Sequence, residues 1–151
     1  MAKIEQVTPA KPVRVKLVNV AAYARVSTAR ERQLSSIAAQ VSYYSRLIQS
    51  TPGWVYAGVF TDEGITGTKT SGRQGLADLM ELARNGGVDI VLCKSISRLA
   101  RNTLDLLRIV RELKNLGVSI RFEREHIDTA TADGELLLTL LASFAQEESA
   151  S

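Results

Sequence analysis

The chain has 151 residues, of which 45% are hydrophobic and 23% charged, with a formal net charge of +3. That length fits one domain with a substantial core, the composition excludes a disordered chain, and no apolar run reaches the length of a bilayer span. A single cysteine, Cys93, and a single histidine, His126, exclude a zinc site built from Cys and His and leave no second imidazole as a general base; carboxylates leave Mg²⁺ open.

Met1 to Lys16 is polar, with Pro9 and Pro12 and no apolar block. It reads as neither a signal peptide nor an anchor, and residues 1–16 are expected to form a flexible cytoplasmic tail ahead of one globular unit, residues 17–151. Leu17 to Tyr23 has the length and β-branched content of a strand, and Arg25 and Ser27 follow at its end. In open α/β sheets the crevice beyond the carboxyl ends of the strands is where ligands bind.

Leu34, Ile37, Val41, Tyr44 and Ile48 then form one helical stripe, stopped by Pro52-Gly53. Val55 to Thr61 is a second strand, ending on Asp62-Glu63-Gly64. The loop Ile65 to Gly72 mixes glycines, threonines and Lys69, but Thr68 rather than glycine precedes the lysine, so it is no P-loop. Leu76, Leu79, Met80 and Ala83 mark the next helix, closed by Asn85-Gly86-Gly87. Val88 to Cys93 is a third strand, apolar at consecutive positions as a strand covered on both faces requires, and Cys93 reads as an inert core thiol.

If the chain turns helical at Arg98, then Arg98 and Arg101 project from one side of that helix. A longer helix with Leu106, Ile109, Leu113 and Leu116 ends at Gly117, and Val118 to Phe122 is a fourth strand. This alternation predicts an α/β fold: a mostly parallel sheet of four to five strands flanked by helices. From Glu135 a last helix, Leu136 to Ala145, is apolar on almost every side. Either the core takes it, or a second copy of the chain covers its other face; the interface is favoured, because few elements remain to bury it.

Charge is unevenly spread. No lysine or arginine follows His126, so residues 1–126 hold all nineteen bases against eleven acids, about +8, and a polyanionic partner is the natural expectation. Three strand ends carry polar groups, Arg25 and Ser27, then Asp62, then Arg98 with Arg101, while Arg73 opens the helix after the second. A serine among arginines, without an imidazole to take its proton, is poorly suited to acyl transfer. It suits phosphoryl transfer, because guanidinium forks bind phosphate oxygens bidentately and stabilise a phosphorane's charge.

These residues resemble the catalytic domain of the serine site-specific recombinases, the resolvase and invertase family. The resemblance rests on Tyr23-Ala-Arg25-Val-Ser27-Thr28, Gln40, Phe60-Thr-Asp62 with Gly64, Arg73-x-Gly75-Leu76, Ser97-Arg98-Leu99-Ala100-Arg101-Asn102, and Ala145-Gln146-Glu147-Glu148-Ser149. It spans nearly the whole chain from Val18. Ser95 to Arg98 and the ending look most like the large serine recombinases of phages and mobile elements, since resolvase-type members commonly carry aspartate at the position of Ser97.

The resemblance implies that Ser27 attacks a scissile phosphate of double-stranded DNA, forming a 5′-phosphoserine and freeing a 3′ hydroxyl, before strand exchange and religation. Arg25, Arg98 and Arg73 would hold the phosphate; Arg101, Asp62 and Gln40 would shape the site, and Tyr23 would pack beside it. It implies no metal, cofactor or small-molecule substrate, and assembly as a dimer to tetramer. Residues 17–151 would be the catalytic domain, with the family's C-terminal DNA-binding domain absent from this chain. Read residue by residue, Tyr23 is equally a strand-packing aromatic, Gln40 a solvated helix residue and Asp62 a turn cap. A different class of function, a non-cleaving interaction module, stands beside the enzyme.

Overall fold

In the computed structural model the described residues are 16–26, 36–63, 73–100 and 102–150. The greater part of the expected N-terminal tail, together with Leu34 and the loop from Ile65 to Gly72, lies outside them. Five strands and five helices are described. They are β1 (Val18–Val26), α1 (Ile37–Ser50), β2 (Trp54–Glu63), α2 (Gln74–Arg84), β3 (Ile90–Cys93), α3 (Ile96–Leu99), α4 (Thr103–Asn115), β4 (Ser119–Phe122), β5 (Ile127–Asp128) and α5 (Ala132–Ala150).

The strands form one sheet in the order β2-β1-β3-β4-β5. The first four are parallel, and β5 joins β4 antiparallel. After β2 the chain crosses β1 to lay down β3, so the order reverses beside β1. That switch point opens a crevice at the carboxyl ends of β1 and β3. The strand β1 is interior, between β2 and β3, and Val20 to Ala24 are buried on both of its faces, which accounts for the unbroken apolar run in its sequence.

Side chains alternate across β1 and divide the core in two. Val20, Ala22 and Ala24 pack with Tyr44 and Ile48 of α1 and with Ile90 and Leu92 of β3. Ala21 and Tyr23 face the other layer, where α2, α4 and α5 contribute Leu79, Val110, Leu113, Leu137 and Leu141. Full burial of side chains such as Leu79, Leu113 and Phe122 contributes about 1.5–3 kcal/mol each.

The ends of the helices follow local chemistry. Ser36 Oγ accepts from the Ala39 N–H at 3.1 Å and caps α1, while Asn102 Oδ1 accepts from the Asp105 N–H at 2.8 Å and caps α4. Gly117, at φ +78°, takes the left-handed turn that releases the chain from α4 into β4.

All four residues of the predicted α2 stripe are buried. In α4 the buried stripe is Leu106, Leu107, Val110 and Leu113, and Leu116 is exposed. Leu116 falls at the C-cap, one residue beyond the end of the helix. The helix α3 carries Arg98 but ends at Leu99, and Ala100 is fully extended, with φ −153° and ψ 150°; Arg101, expected on the same side as Arg98, lies outside the described residues. The last helix, α5, carries two apolar faces. Leu137 and Leu141 are buried in the domain, while Leu136, Leu140 and Phe144 are exposed at 59%, 46% and 52%.

Candidate active site

Strand β1 ends on Val26, so Ser27 is the next residue in the chain. Ser27 and Arg101 lie outside the described residues. Tyr23, Arg25, Asp62, Arg73 and Arg98 are described, and hydrogen bonds connect their surroundings at the carboxyl ends of β1 and β2.

Asp62 is the hub. In the parallel register it pairs with Arg25, and its carboxylate accepts three hydrogen bonds. The Tyr23 hydroxyl donates to Oδ2 at 2.7 Å, the Gly75 N–H to Oδ1 at 2.8 Å and the Leu76 N–H to Oδ2 at 3.0 Å. The residue in the N-cap position of α2, Arg73, makes no side-chain capping bond. Asp62 performs the cap from a different element. A carboxylate there satisfies two orphan donors and meets the positive end of the helix dipole.

A bulge decides which face Asp62 occupies. Val20 pairs with Tyr56 but Ala21 with Gly58, so the register with β1 slips at Ala57, where Gly58 takes φ +123°. Before the slip Trp54 packs on the α1 side; after it Val59 does, and Ala57 and Phe60 pack on the opposite layer. Because one residue of slip exchanges the two faces of a strand, Asp62 reaches the Tyr23 side.

The arginines rest on the last turn of α3. Arg25, 8% exposed, donates through Nε to the Arg98 carbonyl at 3.1 Å and through Nη2 to the Ser97 carbonyl. Arg73 Nη2 donates to the Leu99 carbonyl and, at 3.3 Å, to the Tyr23 hydroxyl. The Arg73 guanidinium carbon also stands 5.8 Å from the centre of the Tyr23 ring, within cation–π range. Arg73 Nε is buried and has no hydrogen-bond acceptor among the described residues. Such an unmet donor costs about 1–3 kcal/mol.

Burial, with the bond to Asp62, pushes the Tyr23 hydroxyl well above the usual phenol range, against the lowering effect of Arg73. It is therefore a neutral hydrogen-bonding group at any physiological pH. Cys93 is buried at the end of β3 and pushed up to about 12 by desolvation, so it is an inert thiol. Gln40 belongs to the other side of the sheet. With Ala39, Tyr43, Tyr44, Lys94 and Glu123 it lines a cavity of about 260 Å³. His126 is an exposed turn residue at φ +57° between β4 and β5.

Two features escaped sequence reasoning. One is the set of α3 carbonyls that receive Arg25 and Arg73, which no residue identity reveals. The other is Gly75, legible as part of a motif but not as a point of contact. Among the described residues no group of three or more His, Cys, Asp and Glu is placed to hold a metal ion, and no helix is long and apolar enough to cross a membrane.

A mostly parallel α/β domain in which arginines, a buried tyrosine and an aspartate gather at the carboxyl end of β1 defines the class. A family model described as "Resolvase, N terminal domain" matches residues 20–151, and the chain belongs to that family. It is 32% identical over 129 residues to a resolvase/recombinase of Pseudomonas putida, an alignment covering 83% of this chain and 62% of that one. The chain thus spans less than two thirds of that relative's length.

Solved structures agree. The N-terminal catalytic domain of TP901-1 integrase superposes with a TM-score of 0.68 at 30% identity, over 86% of this chain and 95% of that one. A resolvase family site-specific recombinase from Streptococcus pneumoniae superposes with a TM-score of 0.70 at 28% identity, over 87% of each chain. The α/β architecture expected from the sequence is that of these two structures.

Proposed function

We propose that this domain cuts and rejoins double-stranded DNA, with Ser27 as the nucleophile. The observation that carries the reading is the cluster of Arg25, Arg73, Tyr23 and Asp62 fixed at the end of the strand that Ser27 follows, in a chain of the resolvase family. Ser27 Oγ bonds to the scissile phosphorus as the bond from phosphorus to the 3′ oxygen breaks. The serine loses its proton, and the 3′ oxygen leaves as a hydroxyl. The product is a 5′-phosphoserine, and reversal on a new 3′ hydroxyl rejoins the DNA.

Carbonyl acceptors on α3 fix the planes of Arg25 and Arg73 before any phosphate arrives. Preorganised charge of this kind stabilises a phosphorane without reorganisation at the moment of reaction. The buried Arg73 Nε is a donor whose acceptor a phosphate oxygen would supply. Arg98 and Arg101 complete the phosphate clamp, and Gln40 acts from the α1 side. The chemistry needs neither metal nor nucleotide. Residues 17–151 constitute the catalytic domain, residues 1–16 a tail, and the exposed face of α5 joins copies of the chain into a dimer and then a tetramer on DNA.

The test is covalent trapping. The chain is fused to a heterologous DNA-binding domain and offered a nicked or mismatched crossover site in EDTA. A denaturation-resistant 5′ adduct that Ser27→Ala abolishes is the expected result. A fusion that binds and assembles on the site yet forms no adduct would instead favour a non-cleaving interaction module.

A further inference from the structure

The first turn of α2 comes unusually close to the end of β2. A Cβ built on Gly75 would lie 2.2 Å from the Thr61 carbonyl oxygen, 2.7 Å from its carbonyl carbon and 3.0 Å from its nitrogen. All three are backbone atoms of a strand, so a rotamer change cannot relieve the overlap. Any side chain at this position must push helix and strand apart.

The same approach holds the polar cluster together. At its present distance Gly75 donates its N–H to Asp62 Oδ1 and Leu76 donates to Oδ2. Asp62 in turn receives the Tyr23 hydroxyl, which accepts from Arg73 Nη2. Arg73 immediately precedes α2 and is two residues from Gly75. Displacing that turn shifts the backbone that carries Arg73 and lengthens the bonds linking Asp62 to α2.

We propose that Gly75 is a positioning residue for Arg73: its missing side chain sets the distance between α2 and β2, and that distance sets the place of the Arg73 guanidinium beside Tyr23 and α3. The proposal rests on the reading of the site as a phosphate clamp for its functional meaning, but its geometric content stands apart from catalysis. Gly75 itself touches no DNA in this scheme. It acts through Arg73.

The experiment separates the two. In the full chain labelled with ¹⁵N-arginine, the buried Nε–H of Arg73 gives a resonance that Arg73→Lys identifies by its disappearance. In Gly75→Ala this resonance is expected to shift and to exchange with water at least about tenfold faster, as a donor released from a buried site does, while urea unfolding stays cooperative. Should Gly75→Ala fail to fold, Asp62→Asn, which leaves the space at Gly75 unchanged but weakens its anchor, is expected to move the same resonance in the same direction. An Arg73 resonance that stays in place in the folded variant overturns the proposal.

Adduct formation in the trapping assay supplies the functional arm. Gly75→Ala is expected to slow it about a hundredfold, the scale of losing one charge-stabilising donor. Added to Arg73→Ala, it should cost less than about twofold more, since residues that act as a unit are not additive. Full additivity would show that Gly75 acts by another route. If the unmutated chain forms no adduct, the recombinase reading fails, and the resonance still decides whether Gly75 places Arg73.

Discussion

The Tyr23 hydroxyl donates to Asp62 at 2.7 Å across two neighbouring parallel strands, and the same carboxylate caps α2 through the Gly75 and Leu76 N–H groups. One side chain thus joins β1, β2 and α2. Removing it leaves a buried hydroxyl and two helix donors without their acceptor. Asp62→Ala should lower stability by about 3 kcal/mol and Tyr23→Phe by about 1–2 kcal/mol. Urea denaturation of the two variants and their double mutant measures both, and the double mutant should lose less than the sum because the pair shares one bond.

Arg25 should resist conservative exchange. Its fork spans the Arg98 and Ser97 carbonyls, which a lysine's single ammonium cannot do in the same geometry. Arg25→Lys is expected to destabilise the fold by about 1–2 kcal/mol and to slow Ser27 adduct formation about a hundredfold. A lysine variant with unchanged stability and adduct rate would remove Arg25 from both roles.

Alkaline pH should unfold the domain progressively. Tyr23, Tyr44 and Cys93 all have folded-state pKa values raised chiefly by burial, from ordinary values of 10.0, 10.0 and 9.0. Their contribution is fully present below those ordinary values. Above about pH 9 for the thiol and pH 10 for the phenols the unfolded chain loses protons that the folded chain keeps, so stability falls as pH rises. The slope is about 1.4 kcal/mol per pH unit for each group in its window. Chemical denaturation between pH 8 and 11 should show a shallower fall in Tyr44→Phe than in the unmutated chain.

The two faces of α5 should respond differently to substitution. Leu137→Ala and Leu141→Ala remove side chains buried against α4 and the sheet and should cost about 2–4 kcal/mol each in unfolding. Leu136→Lys and Leu140→Lys alter exposed positions and should leave unfolding within about 0.5 kcal/mol. If the exposed stripe joins copies of the chain, they should also abolish self-association in sedimentation velocity. Unchanged association would move the interface elsewhere.

The bulge in β2 is a further point of sensitivity. Gly58 sits at φ +123°, and a Cβ there would press on the Phe60 ring at 3.3 Å. Gly58→Val should cost about 2 kcal/mol through backbone strain, read as a lower midpoint in thermal unfolding.

The sequence by itself determined what depends on neighbours along the chain. The stripe of Leu76, Leu79, Met80 and Ala83 specified α2, and the unbroken apolar run to Tyr23 specified a strand covered on both faces. Gly117 marked the end of α4, and the spaced Arg25, Asp62, Arg73 and Arg98 marked the corner where the family's chemistry is expected. Propensity, periodicity and the order of elements are local, and one chain displays them.

Tertiary structure alone decided what depends on distance between elements. That β2 slips by one residue at Ala57, and so turns Asp62 toward Tyr23, follows from pairing with β1. The cap of α2 comes from Asp62, thirteen residues before Gly75, because the end of β2 lies against that helix. Arg25 and Arg73 point at the carbonyls of α3, atoms every residue possesses and no sequence singles out. The division of α5 into Leu137 and Leu141 inside, and Leu136, Leu140 and Phe144 outside, was likewise fixed by where the sheet stands. An all-round apolar helix has no preferred face until something packs against one.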